Sequence, residues 1–184
     1  MTIERLREAV GQDVTLQGWI MGKRTGKGLV FLIVRDGSGI CQCIVDEQKV
    51  SSHTFEEAKR AGQESSLRIT GTVVADERQI GGHELHVSAL EIIGESEDYP
   101  ITPKEHGVDF LMDHRHLWLR SKRQWAIMRI RNTIIMAIHE FFQGEGFIQT
   151  DAPIFTGNAV EGTSTLFETD FYGEPAYLSQ SGQL

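Results

Sequence analysis

Residues 18–45, GWIMGKRTGKGLVFLIVRDGSGICQCIV, decide the fold of the first half of this chain. Residues 14–23, 30–36 and 40–46 each predict a strand, because they are short and rich in β-branched and aromatic side chains. RTGKG at 24–28 predicts a turn, and GSG at 37–39 is typical of a tight hairpin turn. The segment therefore indicates three consecutive strands joined by short turns.

The sequence that follows extends this pattern. Residues 54–64 predict a helix, since their apolar residues fall on one helical face. Residues 66–76 and 83–93 predict two more strands. Three strands, a helix and two strands are the element order of the OB-fold, a small closed barrel that binds oligonucleotides. We therefore expect an all-β OB-fold barrel of five strands and one helix over residues 1–95.

The second half has a different pattern. Residues 96–122 carry acidic side chains and two prolines at their start and are predicted to be a linker. Apolar residues recur at helical spacing over 123–142, so a long helix with a wide apolar face is expected there. Residues 147–155 predict a strand, and 167–181 a hairpin with YGEP at its turn. This segment, 123–184, looks like the beginning of a further domain that continues beyond the chain.

Composition limits the class of protein. The 184 residues are 40% hydrophobic and 24% charged, with a formal net charge of −8, which fits a globular protein. The charge is uneven, since residues 114–139 hold six basic side chains and no acid. A local basic surface for nucleic acid is therefore compatible with the acidic total. No segment is apolar enough to span a membrane and the start is not a signal peptide, so a cytoplasmic location is expected.

Strand parity suggests a binding surface on the barrel. If Leu32, Val34, Cys41 and Cys43 fill the interior, Phe31 and Gln42 point outward. An exposed Phe beside an amide and Arg24 would form a platform for a base. The alternative is that Phe31 belongs to the core and Arg24 is a solvated loop charge.

Other site chemistries are disfavoured. Cys41 and Cys43 leave a metal two ligands short, so a core role is expected. His83, Glu84 and His86 do not form a zinc-binding H-E-x-x-H motif. No protein metal site and no catalytic residue is predicted in this segment.

Longer motifs resemble one enzyme family. Residues 18–45 look like the anticodon-binding barrel of the class II aminoacyl-tRNA synthetases for aspartate, asparagine and lysine. FLMDHRHLWLRS at 110–121 resembles the hinge of the asparaginyl form, and GFIQTDAPIF at 146–155 resembles motif 1. VEGTSTLFETDFYGEPAYLSQSGQL at 160–184 is similar to the start of the catalytic sheet. The aspartyl enzymes usually have Pro where this chain has Gly182, which favours asparagine.

The resemblance implies a fold and site roles. It implies an α+β class II catalytic domain, with an antiparallel sheet and the motif 1 helix, beginning at residue 123. In the barrel, Phe31 would stack on the central anticodon uridine, Gln42 would hydrogen-bond it and Arg24 would lie at the same site. In the second domain, amino-acid binding is assigned by resemblance to Glu161, Ser181 and Gln183.

The resemblance also implies partners and a reaction. The helix 123–142 and Pro153 would form the interface of a homodimer. The family joins L-asparagine to tRNA(Asn) with ATP and Mg²⁺. The arginines that bind ATP in this family lie in motifs 2 and 3, which are absent from these residues. We therefore expect the 184-residue chain alone to be inactive in asparagine-dependent ATP–pyrophosphate exchange. Two alternatives remain: a separate OB-fold RNA-binding module with a dimerising helix, and an aspartyl enzyme that charges both tRNAs.

Overall fold

The computed structural model describes residues 1–157 and 166–182. The chain forms two compact units, Met1–His106 and Gly107–Leu184. The division between them falls inside the segment 96–122 that the sequence indicates as a linker.

The first unit is a closed five-stranded barrel, and the predicted OB-fold is confirmed. The strands follow the order β1-β2-β3-β5-β4 around the barrel. Every neighbouring pair is antiparallel except β3 and β5, which run parallel and are joined through α1, β4 and the turn before β5. The barrel elements are β1 (Asp13–Gly26), β2 (Leu29–Arg35), β3 (Ile40–Asp46), α1 (Ser52–Arg60), β4 (Ser66–Ala75) and β5 (His83–Gly94).

Alternating apolar residues fill the barrel because successive side chains of a strand point to opposite faces. Two elements outside the strands complete this core. A 3-10 helix at Ile3–Ala9 buries Ile3, Leu6 and Ala9, and α1 buries Phe55 and Ala58. Helix α1 begins after Ser51, whose hydroxyl accepts a hydrogen bond of 3.1 Å from the Thr54 amide. The N-terminal 3-10 helix was absent from the sequence prediction.

A β-bulge in β1 changes which side chains face outward. The register with β2 passes from Ile20–Val34 to Gly22–Ile33, so Met21 is the extra residue. Beyond the bulge, Lys23 lies opposite the inward residue Leu32. Its ammonium group donates hydrogen bonds to the carbonyl oxygens of Lys59 and Ala61, at the C-terminus of α1.

Close backbone approaches elsewhere in the barrel require glycine. A Cβ atom at Gly71 would lie 2.1 Å from the carbonyl oxygen of His86. Gly71 sits at a register shift between β4 and β5, so the bulge and the glycine occur together.

The second unit combines helices with a small antiparallel sheet, in agreement with the expected start of a class II domain. Its sheet has the order β6-β8-β7, and the helix predicted over 123–142 is present and slightly longer. The elements are α2 (Val108–Asp113), α3 (Arg115–Trp118), α4 (Lys122–Gly144), β6 (Phe155–Thr156), β7 (Glu168–Phe171) and β8 (Glu174–Leu178).

The sheet confirms one prediction and corrects another. The predicted hairpin is present, with Tyr172 and Gly173 at the turn in left-handed conformations, φ 58° and 85°. The strand predicted over 147–155 is wrong for most of its length, because only Phe155–Thr156 pairs with β8. Residues 147–154 have no partner strand in the described ranges, and Pro153 has no amide hydrogen to donate.

Candidate nucleic-acid interface

The candidate surface is the outward face of β1, β2, β3 and β5. Strand parity is confirmed: Leu32 and Val34 are fully buried, whereas Phe31 and Gln42 lie on the outer face and are half-buried. The register aligns outer residues across the strands, with Arg24 opposite Phe31, Phe31 opposite Ile44, and Ile44 opposite His86. The structure thus places the three predicted base-binding residues on one face.

Arg24 and Phe31 form a stacked pair on this face. The guanidinium carbon of Arg24 lies 4.3 Å from the centroid of the Phe31 ring, which is a cation–π contact. The sequence places Arg24 in a turn, but β1 extends to Gly26 and Arg24 is part of the strand. The bulge at Met21 moves Arg24 to the outward side, and the exposed guanidinium and the aromatic ring become neighbours there.

Gln42 belongs to a polar chain that the sequence did not predict. Its Nε2 donates to Oε2 of Glu84 at 3.1 Å, and Nε2 of His86 lies 2.9 Å from Oε1 of the same carboxylate. Glu84 is only 8% exposed, which is unusual for an acidic side chain. The outward alternation of Glu84 and His86 along one strand was readable from the sequence, but their position beside Gln42 depends on the parallel pairing of β3 and β5.

A second aromatic–arginine pair lies further along the same strands. Trp19 is opposite Arg35 in the register, and the guanidinium carbon is 5.4 Å from the Trp ring centroid. Arg35 also forms an ion pair with Glu64, and both of these side chains are largely buried. Because its charge is balanced within the protein, Arg35 offers less to a phosphate than the exposed Arg24 does.

The turn between β2 and β3 is fixed by Asp36. Its carboxylate accepts hydrogen bonds from the Ser38 hydroxyl and from the amides of Ile3, Ser38 and Gly39, at 2.7–3.1 Å. Burial alone would raise the pKa of Asp36, but these hydrogen bonds outweigh it and the net pKa is lowered. The carboxylate thus connects the strand turn to the N-terminal 3-10 helix.

The two cysteines are core residues, as the sequence predicts. Cys41 and Cys43 are buried and not joined in a disulfide. The hydrogen bond with Cys41 and burial raise the pKa of the Cys43 thiol well above its ordinary value. A thiol that stays protonated is a poor nucleophile and a poor metal ligand.

The predicted amino-acid-binding residues are only partly described. Glu161 and Gln183 lie outside the described residues. Ser181 is half-buried, and its carbonyl oxygen accepts a hydrogen bond of 2.7 Å from the Ser179 hydroxyl. Pro153 is exposed in the irregular segment before β6. The structure therefore neither assembles nor separates this set.

Within 1–157 and 166–182, no group of three His, Cys, Asp or Glu side chains is arranged to hold a metal ion. No helix in those ranges combines the length and the apolar character needed to cross a bilayer.

Comparison with known families covers both units. Residues 14–93 match the family described as OB-fold nucleic acid binding domain. Residues 107–184 match the family described as tRNA synthetases class II (D, K and N), that is, for aspartate, lysine and asparagine.

Individual relatives match this chain over its whole length. It is 54% identical to an asparagine–tRNA ligase of Symbiobacterium thermophilum and 52% identical to one of Streptococcus suis, and it spans 42% and 43% of their lengths. It also superposes with a TM-score of 0.91 on asparaginyl-tRNA synthetase from Pyrococcus horikoshii complexed with asparaginyl-adenylate, at 39% identity over all of this chain and 43% of that one. The resemblance found in the sequence is confirmed. The chain is therefore similar over its whole length to asparagine–tRNA ligases, with an OB-fold nucleic acid binding domain preceding a segment that matches the class II tRNA synthetases of the aspartate, lysine and asparagine group.

Proposed function

We propose that this chain supplies the anticodon-binding barrel and the first part of the catalytic domain of an asparagine–tRNA ligase. The observation that carries the proposal is the outward row of Arg24, Phe31 and Gln42 on an OB-fold barrel. It occurs in a chain 54% identical to an asparagine–tRNA ligase. The proposed domains are residues 1–95 for anticodon binding, 96–122 for the hinge and 123–184 for the catalytic part.

The surface chemistry suits a single-stranded anticodon. Phe31 offers an aromatic ring on which a base stacks, and Gln42 offers an amide that can hydrogen-bond a base edge. Because Arg24 lies only 4.3 Å from the ring centroid, no base fits between them. A base that stacks on that face of Phe31 displaces the guanidinium, which is then available for a neighbouring phosphate.

The proposed reaction activates L-asparagine with ATP to asparaginyl-adenylate and transfers the amino acid to tRNA(Asn). Glu161, Ser181 and Gln183 are proposed to line the amino-acid pocket. When bound, ATP supplies the activating group and Mg²⁺ neutralises phosphate charge. The described residues provide no cluster that fits a metal ion.

A homodimer is proposed through α4 and Pro153. In the part of the chain that the structure describes, no residue of α4 is buried. Its exposed side chains include Ile130, Ile134 and Phe141, which are 60%, 54% and 61% exposed. Covering such a face with a second copy would remove a large apolar area from water.

The two alternatives receive less support. A separate RNA-binding module would not require residues 107–184 to match a synthetase family. An aspartyl enzyme that charges both tRNAs is disfavoured by relatives named asparagine–tRNA ligase at 52–54% identity. We also propose a cytoplasmic location, since the tRNA substrate is charged where it is used.

Phe31→Ala tests the proposed anticodon site. Affinity for an anticodon hairpin with a central uridine should fall by about tenfold or more, since a stacked base contributes roughly 1–3 kcal/mol. Fluorescence anisotropy with a labelled hairpin measures the dissociation constant, at several salt concentrations because phosphate contacts make binding salt-dependent. Ile93 is an exposed apolar residue near the C-terminal end of β5, so Ile93→Ala is the matched control and should bind the hairpin with native affinity. Equal affinity of the Phe31 variant and the native chain would show that Phe31 does not take part in binding the hairpin.

A further inference from the structure

Glu84 occupies an unusual position for a carboxylate on a barrel surface. It is 8% exposed and lies directly beside Gln42 in the parallel register between β3 and β5. Both of its oxygens have partners, Oε2 receiving Nε2 of Gln42 at 3.1 Å and Oε1 lying 2.9 Å from Nε2 of His86. Its contacts are therefore made with neighbouring side chains of the outer face.

These contacts determine the orientation of the Gln42 amide. A carboxylate accepts hydrogen bonds and donates none, whereas a glutamine amide has an NH₂ end that donates and an oxygen end that accepts. The NH₂ end of Gln42 must therefore face Glu84. The described part of the chain provides no donor to Oε1 of Gln42, so this oxygen remains available to a ligand.

We propose that Glu84 is a specificity-determining residue that makes the Gln42 site select uracil over cytosine. The inference rests on the proposed function, in which Gln42 meets the central anticodon base. Uracil carries a hydrogen at N3 and can donate it to Oε1 of Gln42. Cytosine carries a lone pair at N3, which would face the same oxygen without a hydrogen between them. A Gln42 amide held in this orientation therefore binds uracil and disfavours cytosine.

The same geometry predicts what happens without Glu84. A free glutamine amide can turn by 180° about its last torsion, which exchanges the donor and acceptor ends. The Nε2 group could then donate to N3 of cytosine, so the preference would be lost while stacking on Phe31 remains. His86 acts as a positioning residue, because its imidazole N–H holds the second oxygen of the Glu84 carboxylate.

The test compares two anticodon hairpins that differ only in a central uridine or cytidine. Dissociation constants are measured by fluorescence anisotropy for the native chain and for Glu84→Ala and Glu84→Gln. The native chain should prefer uridine by about tenfold or more, as a well-placed base contact does. Both variants should reduce that preference to less than about threefold, chiefly through tighter binding of the cytidine hairpin relative to uridine. Glu84→Gln keeps the size of the side chain and guards against a folding defect.

Controls separate this inference from the proposed function. Phe31→Ala should weaken both hairpins alike, because stacking is tolerant of base identity. Glu91→Ala removes another carboxylate of β5, one that pairs with Arg68, and should leave the preference unchanged. His86→Leu should lower the preference for uridine. His86→Gln should keep that preference, because its amide can still donate to Glu84.

Two results would overturn the inference in different ways. A native chain that binds hairpins and keeps its uridine preference in both Glu84 variants would refute the role of Glu84 and leave the proposed function standing. A native chain that binds neither hairpin would refute the proposed function and this inference with it.

Discussion

Replacement of Asp36 by asparagine should weaken the attachment of the N-terminal 3-10 helix to the barrel. In the native chain Oδ2 accepts the amide of Ile3 at 2.7 Å, while Oδ1 accepts the amides of Ser38 and Gly39 and the Ser38 hydroxyl. Asparagine has one acceptor oxygen, and its NH₂ group cannot accept a hydrogen bond. If the oxygen keeps the three bonds of the turn, the NH₂ group faces the Ile3 amide and that bond is lost.

The expected cost follows from the bonds involved. A hydrogen bond to a charged group contributes about 1.5–3 kcal/mol, and the half-buried position of Asp36 favours the lower part of that range. The remaining bonds of the turn also lose the carboxylate charge, so we expect destabilisation of about 2 kcal/mol. For a unit of this size that corresponds to a fall in Tm of about 10 °C.

The pH dependence provides a second, independent measure. The pKa of Asp36 is lowered in the folded chain from its ordinary value of 3.8. The folded state therefore favours the ionised carboxylate, and this stabilisation is present above the unfolded pKa and is lost as the pH falls through the folded pKa. The difference in stability between the native chain and Asp36→Asn should be constant near neutral pH and narrow progressively below about pH 4.

Differential scanning calorimetry from neutral to acidic pH measures both effects, and Asp13→Asn is the control. Asp13 is exposed and accepts one side-chain hydrogen bond, from Thr72, so its replacement should change Tm little. Amide hydrogen exchange in residues 3–9 should rise selectively in the Asp36 variant. An unchanged Tm at neutral pH, or a difference that persists undiminished into strong acid, would show that Asp36 does not hold the helix.

Three further predictions concern other parts of the chain. Gly71→Ala should destabilise the barrel by about 3 kcal/mol, because the new Cβ would lie 2.1 Å from the His86 carbonyl oxygen; an unchanged thermal transition would contradict this. Lys23→Met should cost about 1 kcal/mol in urea unfolding, since the carbonyl oxygens at the end of α1 lose their donor; equal midpoints would argue against that role. Ile134→Glu should convert a dimer to a monomer in light scattering after gel filtration, whereas a persistent dimer would exclude this face of α4.

The barrel strands were predictable because their signal is local. Val30, Leu32 and Val34 are fully buried and Phe31 is half-buried, as alternation along a single strand requires. The long helix α4 was predictable for the same reason, since helical spacing is a property of neighbouring residues.

Features that depend on a distant partner were missed. The 3-10 helix at Ile3–Ala9 has little pattern of its own and is held by burial against the barrel and by Asp36. Residues 147–154 have strand-like composition, but a strand also needs a neighbour, and pairing begins only at Phe155. Propensity without a partner does not produce a strand.

By itself, the sequence determined the barrel class, the alternation that places Phe31 and Leu32 on opposite faces of β2, and the family resemblance. The tertiary structure alone decided how the site is assembled. The bulge at Met21 brings Arg24 over Phe31, and closure of the barrel places Glu84 beside Gln42, 42 positions away in the chain. The physical reason is that the direction of a side chain alternates locally along a strand, whereas its neighbours are set by hydrogen-bond register between strands that are far apart in sequence.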